Sequence, residues 1–119
     1  MKIAISSTGK TMENSLDIRF GRCKYFQIYD IESKEVKILE NEGQNASGGA
    51  GIVASNQLVD EKIDVIITGN LGPNAFEIIE KSGIKAYKCE PVAINVAIDK
   101  YNKGELEQIS MSGPAHHGM

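Results

Sequence analysis

Three short apolar runs, "KIAIS" (2 to 6), "DVIIT" (64 to 68) and "IKAYK" (84 to 88), are separated by stretches whose apolar residues recur at helical spacing. A run of this length bounded by turn residues reads as a buried strand. Strands that alternate with helices pack as parallel neighbours, with the crossovers covering the sheet. Between the first two runs, "KYFQIYDI" (24 to 31) and "EVKILEN" (35 to 41) are rich in β-branched and aromatic residues. Joined by "ESK", they predict an antiparallel hairpin. A helix follows "GQNASGGAG" (43 to 51), with Ile52, Val59 and Ile63 expected on its buried face. A second opens at "GNLGP" (69 to 73), with Pro73 in its first turn and Gly83 as its stop. A third spans "VAINVAIDKYNKG" (92 to 104), with Ile94, Ile98 and Tyr101 on one face and Gly104 at its end. The predicted order is βββαβαβα, an α/β fold on a mixed five-stranded sheet with strand two antiparallel.

If strand two opposes strand one, strand three runs parallel to strand one, and right-handed crossovers make strands four and five parallel as well. Four strands then end on one rim, where open α/β sheets bind their ligands. The 7 to 22 loop, the "SGGAG" and "TGNLGP" loops, Cys23 and Cys89 with Glu90 all collect there. Glycines allow close approach to the backbone, and a helix start offers unpaired N–H groups and a positive dipole end. Lys10, Arg19, Arg22 and Lys24 add positive charge, so the rim is expected to favour an anion. The plainer alternative is that such glycines only serve tight strand-to-helix connections.

"AISSTGKT" (4 to 11) has the Gly-Lys-Thr of a phosphate-binding P-loop, but Ala4 stands where the first glycine belongs. The following "MENSLDIRFGR" lacks an amphipathic helix, so the P-loop reading fails. Thr8, Gly9 and Lys10 remain candidate anion contacts at the end of strand one.

The chain of 119 residues suits a single domain, expected over 1–109, followed by a flexible tail over 110–119. No stretch approaches the roughly 18 apolar residues of a membrane span. The N-terminus resembles no signal peptide, so a cytoplasmic location is expected. A net charge of -3 argues against nucleic acid as a partner. Two cysteines, Cys23 and Cys89, are too few for a disulfide scaffold.

"DIRFGRCKYFQIYD" (17 to 30), "GGAGIVASNQLVDEKIDVIITGNLGPNAF" (48 to 76) and "AIDKYNKGEL" (97 to 106) resemble the nitrogenase iron–molybdenum cofactor biosynthesis domain family. The resemblance spans strand one to the third helix. It implies a ribonuclease H-like three-layer fold and a non-enzymatic protein that binds or carries a metal–sulfur cluster. The cargo would be an iron–molybdenum cofactor precursor, an iron–sulfur cluster or a molybdenum–copper sulfide cluster, exchanged with donor and acceptor proteins. Such clusters are anionic and suit the rim. The expected contacts are Thr8, Gly9, Lys10, Arg19, Arg22, Ser47, Gly48, Gly49, Gly51, Gly69 and Asn70. Cys23 is the candidate thiolate ligand, since Arg22 and Lys24 beside it would lower its pKa; the alternative reading is a half-buried thiol that ligates nothing. His116 and His117 in the tail are candidate metal ligands, and Met111 and Met119 are soft donors in principle.

Enzyme chemistry finds little support in the sequence. A two-metal nuclease needs clustered carboxylates, beginning with an Asp on strand one, and "KIAIS" has none. Both histidines lie in the tail, leaving Ser6, Ser7 and Thr8 without a base. The alternative function is a nucleotide- or phosphate-binding regulatory module that uses the same rim.

Overall fold

In the computed structural model, which describes residues 1–112, the chain builds one six-stranded sheet with helices on both faces. The first strand, β1 (Lys2–Ser7), lies in its interior. It pairs antiparallel with β2 (Tyr25–Asp30), Ala4 opposite Ile28, and parallel with β4 (Val65–Thr68), Ala4 beside Ile66. The β3 strand (Val36–Glu40) pairs antiparallel with β2, and β5 (Lys85–Lys88) pairs parallel with β4. Ile3, Ala4 and Ile5 are fully buried, because the sheet is covered on both sides.

A sixth strand, β6 (Glu107–Gln108), adds antiparallel to β5 and gives the order β3-β2-β1-β4-β5-β6. The expected count of five is thereby corrected, and β6 joins β2 in running against β1, β4 and β5. Two polar residues carry no periodicity that a sequence reading can detect. The strand is held by tertiary contacts instead: Ile109 N donates to Ala86 O at 2.8 Å, and the Ile109 side chain packs on the core.

Alternation along the strands sorts the core into two layers. On one face, Ala4, Phe26, Ile28, Ile66 and Ala86 pack with Ala54 and Leu58 of α1 (Ala50–Asp60) and Ala75 and Ile79 of α2 (Pro73–Lys81). On the other, Ile3, Ile5, Val65 and Ile67 pack with Ile94, Ala97 and Ile98 of α3 (Ile94–Asn102). Gly83 and Gly104 take φ of 77° and 72° just beyond α2 and α3, the left-handed conformation that glycine tolerates at helix ends.

The face of α1 differs from expectation. Ala50, Gly51, Ala54, Ser55 and Leu58 are its buried residues, Ile52 is 37% exposed, and Ile63 is buried beyond the helix end. Four of those five buried residues are small, and α1 lies close to α2. Val59 packs partly buried against the core and Ile63 lies within it, so of the three expected residues Ile52 alone turns outward. Among the described residues, no helix is long and apolar enough to cross a membrane.

Candidate functional site

The rim at the ends of β1 and β4 is tied together by buried polar groups. Ser6 Oγ lies 2.6 Å from Asp17 O and 2.8 Å from Thr68 Oγ1, while Asp17 N donates to Ser6 O at 2.9 Å. These bonds fasten the segment from Asp17 to Cys23 across the strand ends. Farther along, Arg19 forms a parallel bridge with Asn70, and Gly69 is buried against Ile18, whose side chain occupies the space a Cβ would need.

Asp17, only 8% exposed, accepts from Arg19 N at 2.9 Å, Nε at 3.2 Å and Nη2 at 3.1 Å. That carboxylate raises the Arg19 pKa further and holds the guanidinium at the rim, where its side chain stays 57% exposed. Arg22 is half-buried. Its Nη1 donates to the carbonyls of Gly43, Gln44 and Ala46 at 3.3, 3.1 and 2.7 Å, so it spans to the loop before α1. Neither Arg22 nor Lys10 has a carboxylate partner among the described residues.

Two helices begin beside this segment without caps. The residue before α1, Gly49, sits at φ 66° and ψ 31° and provides no side-chain hydrogen bond, and the first turn contains no acidic residue. The start of α2, at Gly72 and Pro73, also lacks a side-chain cap and an acidic residue. By contrast, the start of α3 is closed by backbone: Ile94 N donates to Asn14 O at 2.9 Å and Asn95 N to Met12 O at 3.0 Å. Open helix starts leave first-turn N–H groups and a positive dipole end for an anion.

The structure divides the expected contacts. Arg19, Arg22, Ser47, Gly48, Gly49 and Asn70 belong to the loops around the starts of α1 and α2. Ser47, Gly48 and Gly49 are exposed there, whereas Gly51 is buried on the inner face of α1 and Gly69 is buried beneath Ile18. Thr8, Gly9 and Lys10 belong to the α3 side. Gln27, which alternates with the core residues Phe26 and Ile28, donates from Nε2 to Gly9 O at 3.1 Å and Thr11 O at 2.7 Å. The amides there are already used: Thr8 N donates to Ser15 O, Gly9 N to Ser7 Oγ and Thr11 N to Asn14 Oδ1. Lys10 Nζ stands 5.3 Å from the Tyr25 ring centroid. "AISSTGKT" is therefore a self-bonded turn rather than a phosphate cradle.

The lowered pKa that a Cys23 thiolate would need is not found, and the alternative of a buried thiol is what the structure shows. Cys23 is fully buried in the α1 and α2 layer, and its Sγ is 3.5 Å from Phe20 O. Desolvation, with a smaller contribution from the Asp17 charge, pushes the thiol up to about 12. The Arg22 guanidinium is instead drawn to the loop carbonyls. Cys89 lies in the α3 layer, and burial raises its thiol as well. The two cysteines thus sit on opposite faces of the sheet. Among the described residues, no three His, Cys, Asp or Glu side chains gather as a metal site. His116, His117 and Met119 lie outside the described residues.

Sequence reading missed Asn41, 1% exposed, whose Nδ2 donates to Gly21 O and Cys23 O at 3.1 and 2.9 Å. It also missed Asp17 as the partner of Arg19. The Asp-x-Arg spacing in "DIRFGR" was the available signal for the second; a lone Asn after a strand offered none for the first.

Residues 1–104 match the profile of the family described as dinitrogenase iron-molybdenum cofactor. The uncharacterized protein MJ0580 of Methanocaldococcus jannaschii is 33% identical over 111 residues, covering 91% of each chain. Among solved structures, the apo form of the orange protein from Desulfovibrio gigas superposes with a TM-score of 0.89 at 29% identity, covering 97% of this chain and 96% of that one. A candidate NifB protein from Thermotoga, assigned to the DUF35 family, gives 0.83 at 35% identity over 97% of this chain and 98% of that one.

Proposed function

The chain belongs to the dinitrogenase iron-molybdenum cofactor family, and from that premise we propose that it is a non-enzymatic carrier of an anionic metal–sulfur cluster. The observation that carries the reading is the pair of uncapped starts of α1 and α2 beside the segment that bears Arg19 and Arg22. Family and structural neighbours support a cofactor-related carrier role. Although the chain has a net charge of -3, repulsion from distant carboxylates is screened over roughly 8 Å at physiological ionic strength. The rim groups in contact with the cargo therefore decide the sign of the local field.

The donor set favours one cluster class. Thiolate ligation of an iron–sulfur cluster uses four cysteines, and here two buried thiols face opposite sides of the sheet. A cluster that brings its own sulfide shell, such as a molybdenum–copper sulfide, needs only N–H groups and guanidinium on its surface. In this reading Arg19, Arg22 and the exposed amides of Ser47, Gly48 and Gly49 hold it, and Cys23 contributes packing. Cluster donor and acceptor proteins would meet the same rim. The order β3-β2-β1-β4-β5 also supports the ribonuclease H-like assignment, and two free thiols suit a reducing cytoplasm.

The test is anaerobic incubation with tetrathiomolybdate and copper(I), and separately with an iron–sulfur cluster donor, followed by desalting, absorption spectroscopy and metal analysis. The expected result is a coloured protein that retains molybdenum and copper. Colourless, metal-free protein from every incubation overturns the proposal.

A further inference from the structure

Two neighbouring loops at the rim each send a side chain into the other's backbone. Arg22 Nη1 reaches the carbonyls of Gly43, Gln44 and Ala46, and Asn41 Nδ2 reaches those of Gly21 and Cys23, with Phe20 O at 3.4 Å. Asn41 Oδ1 simultaneously accepts from Gly43 N at 2.9 Å. Gly43 is wedged where a Cβ would press on the carbonyls of Gly21 and of Ala50, the first residue of α1. The 20–23 segment, the 41–46 loop and the first turn of α1 are thus one packed unit.

Resting on the cluster-carrier reading, we propose that Asn41 is a positioning residue which, in a reciprocal clasp with the cargo-binding Arg22, sets the first turn of α1 at a fixed offset from the Arg19–Arg22 segment. An anionic cluster then meets both surfaces at once, without first ordering either loop. Fixing donors before binding removes an entropic penalty that a flexible loop pays on association. The clasp has an electrostatic side too. Three carbonyl oxygens converge on Arg22, which satisfies negative ends that would otherwise repel an anion at the same rim. Nε and Nη2 of Arg22 have no hydrogen-bond partner among the described residues, so one edge of the guanidinium locks the loop and the other remains available to the cargo. Asn41 is 1% exposed; its influence on binding runs through the loops alone.

Asn41→Ala, the near-isosteric Asn41→Asp and the charge-preserving Arg22→Lys test the clasp. Hydrogen exchange of the unliganded proteins is followed together with titration of the copper–tetrathiomolybdate complex by visible absorption. Faster exchange confined to residues 20–23 and 43–53 is expected, with β1 and β4 amides still protected. Binding weakens by about tenfold in Asn41→Ala, through the loops alone, and in Arg22→Lys, because an ammonium does not reproduce the fixed fork that holds the 43–46 carbonyls while facing the cargo. The bound complex's absorption bands shift in Asn41→Asp, although Asn41 does not touch the cargo. Wild-type affinity and spectrum in all three variants overturn the clasp while leaving the carrier reading intact. Loss of protection throughout the sheet in Arg22→Lys, the mildest change, also overturns it by showing a general structural role. A wild-type protein that retains no complex overturns the carrier reading, and the clasp's binding role with it.

Discussion

Ser6 Oγ and Thr68 Oγ1 lie 2.8 Å apart, both fully buried, where the parallel strands β1 and β4 end. The same Ser6 hydroxyl is 2.6 Å from Asp17 O, so two strand ends and the segment that presents Arg19 share one anchor. Ser6→Ala strands the Asp17 carbonyl and the Thr68 hydroxyl in the interior. A buried group left unsatisfied costs about 1–3 kcal/mol. Urea denaturation should report a loss of that size, and a change within experimental error would contradict the anchor.

The orientation of α1 is testable by truncation. Leu58 is fully buried, whereas Ile52 is 37% exposed. Leu58→Ala is expected to destabilise by about 2–5 kcal/mol, the range for deleting a buried leucine side chain. Ile52→Ala should lose far less. Comparable losses at both positions would restore the face on which Ile52 points inward.

Glycines on the rim divide into two kinds. A Cβ at Gly69 overlaps the Cα and Cβ of Ile18, whereas one at Gly48 meets open space. Overpacking costs typically about 1–3 kcal/mol, so Gly69→Ala should lower the melting temperature by several degrees. Gly48→Ala is expected to stay within about 0.5 kcal/mol of the parent. The comparison fails if the two variants melt together.

The Cys23 thiol predicts a falling stability in alkali. Its pKa is raised by burial from 9.0 to about 12, so the folded state keeps a proton that the unfolded state gives up. That contribution is complete below the unfolded value and disappears as pH rises toward the folded one. Between these values the slope is at most about 1.4 kcal/mol per pH unit for one such group. Cys89 shifts in the same direction. Cys23→Ala should flatten the decline, measured by denaturation across alkaline pH. Iodoacetamide should label native Cys23 far more slowly than the unfolded chain at pH 8, and equal rates would contradict its burial.

The amides of Thr8, Gly9 and Thr11 are already bonded within their own loop, and the rim at the starts of α1 and α2 is assigned to a cluster, so on the carrier reading MgATP should leave the melting temperature unchanged. A specific ligand at about 100 times its Kd stabilises by about 2.7 kcal/mol, well within reach of a thermal shift. A clear rise with MgATP would revive the nucleotide-binding alternative.

Five strands, three helices and their directions were legible in the sequence, because apolar runs, helical spacing, Pro73, Gly83 and Gly104 are local signals that tertiary packing reinforced. Local signals do not reveal which small residues let α1 approach α2, and that approach is what turns Ile52 outward. The two-residue β6 was invisible because its existence depends on an edge at β5 and on the seat of Ile109. For the site, sequence by itself determined that glycine, arginine and lysine would collect at one rim, since strand direction follows from connectivity. Only the tertiary structure decided their division. It placed Thr8, Gly9 and Lys10 on the α3 side, sent Cys23 and Cys89 to opposite layers, and turned Arg22 from a neighbour of Cys23 into a bridge to the 43–46 carbonyls. Hydrogen-bond partners and desolvation are set by residues far apart in the chain, and adjacency in sequence carries no information about them.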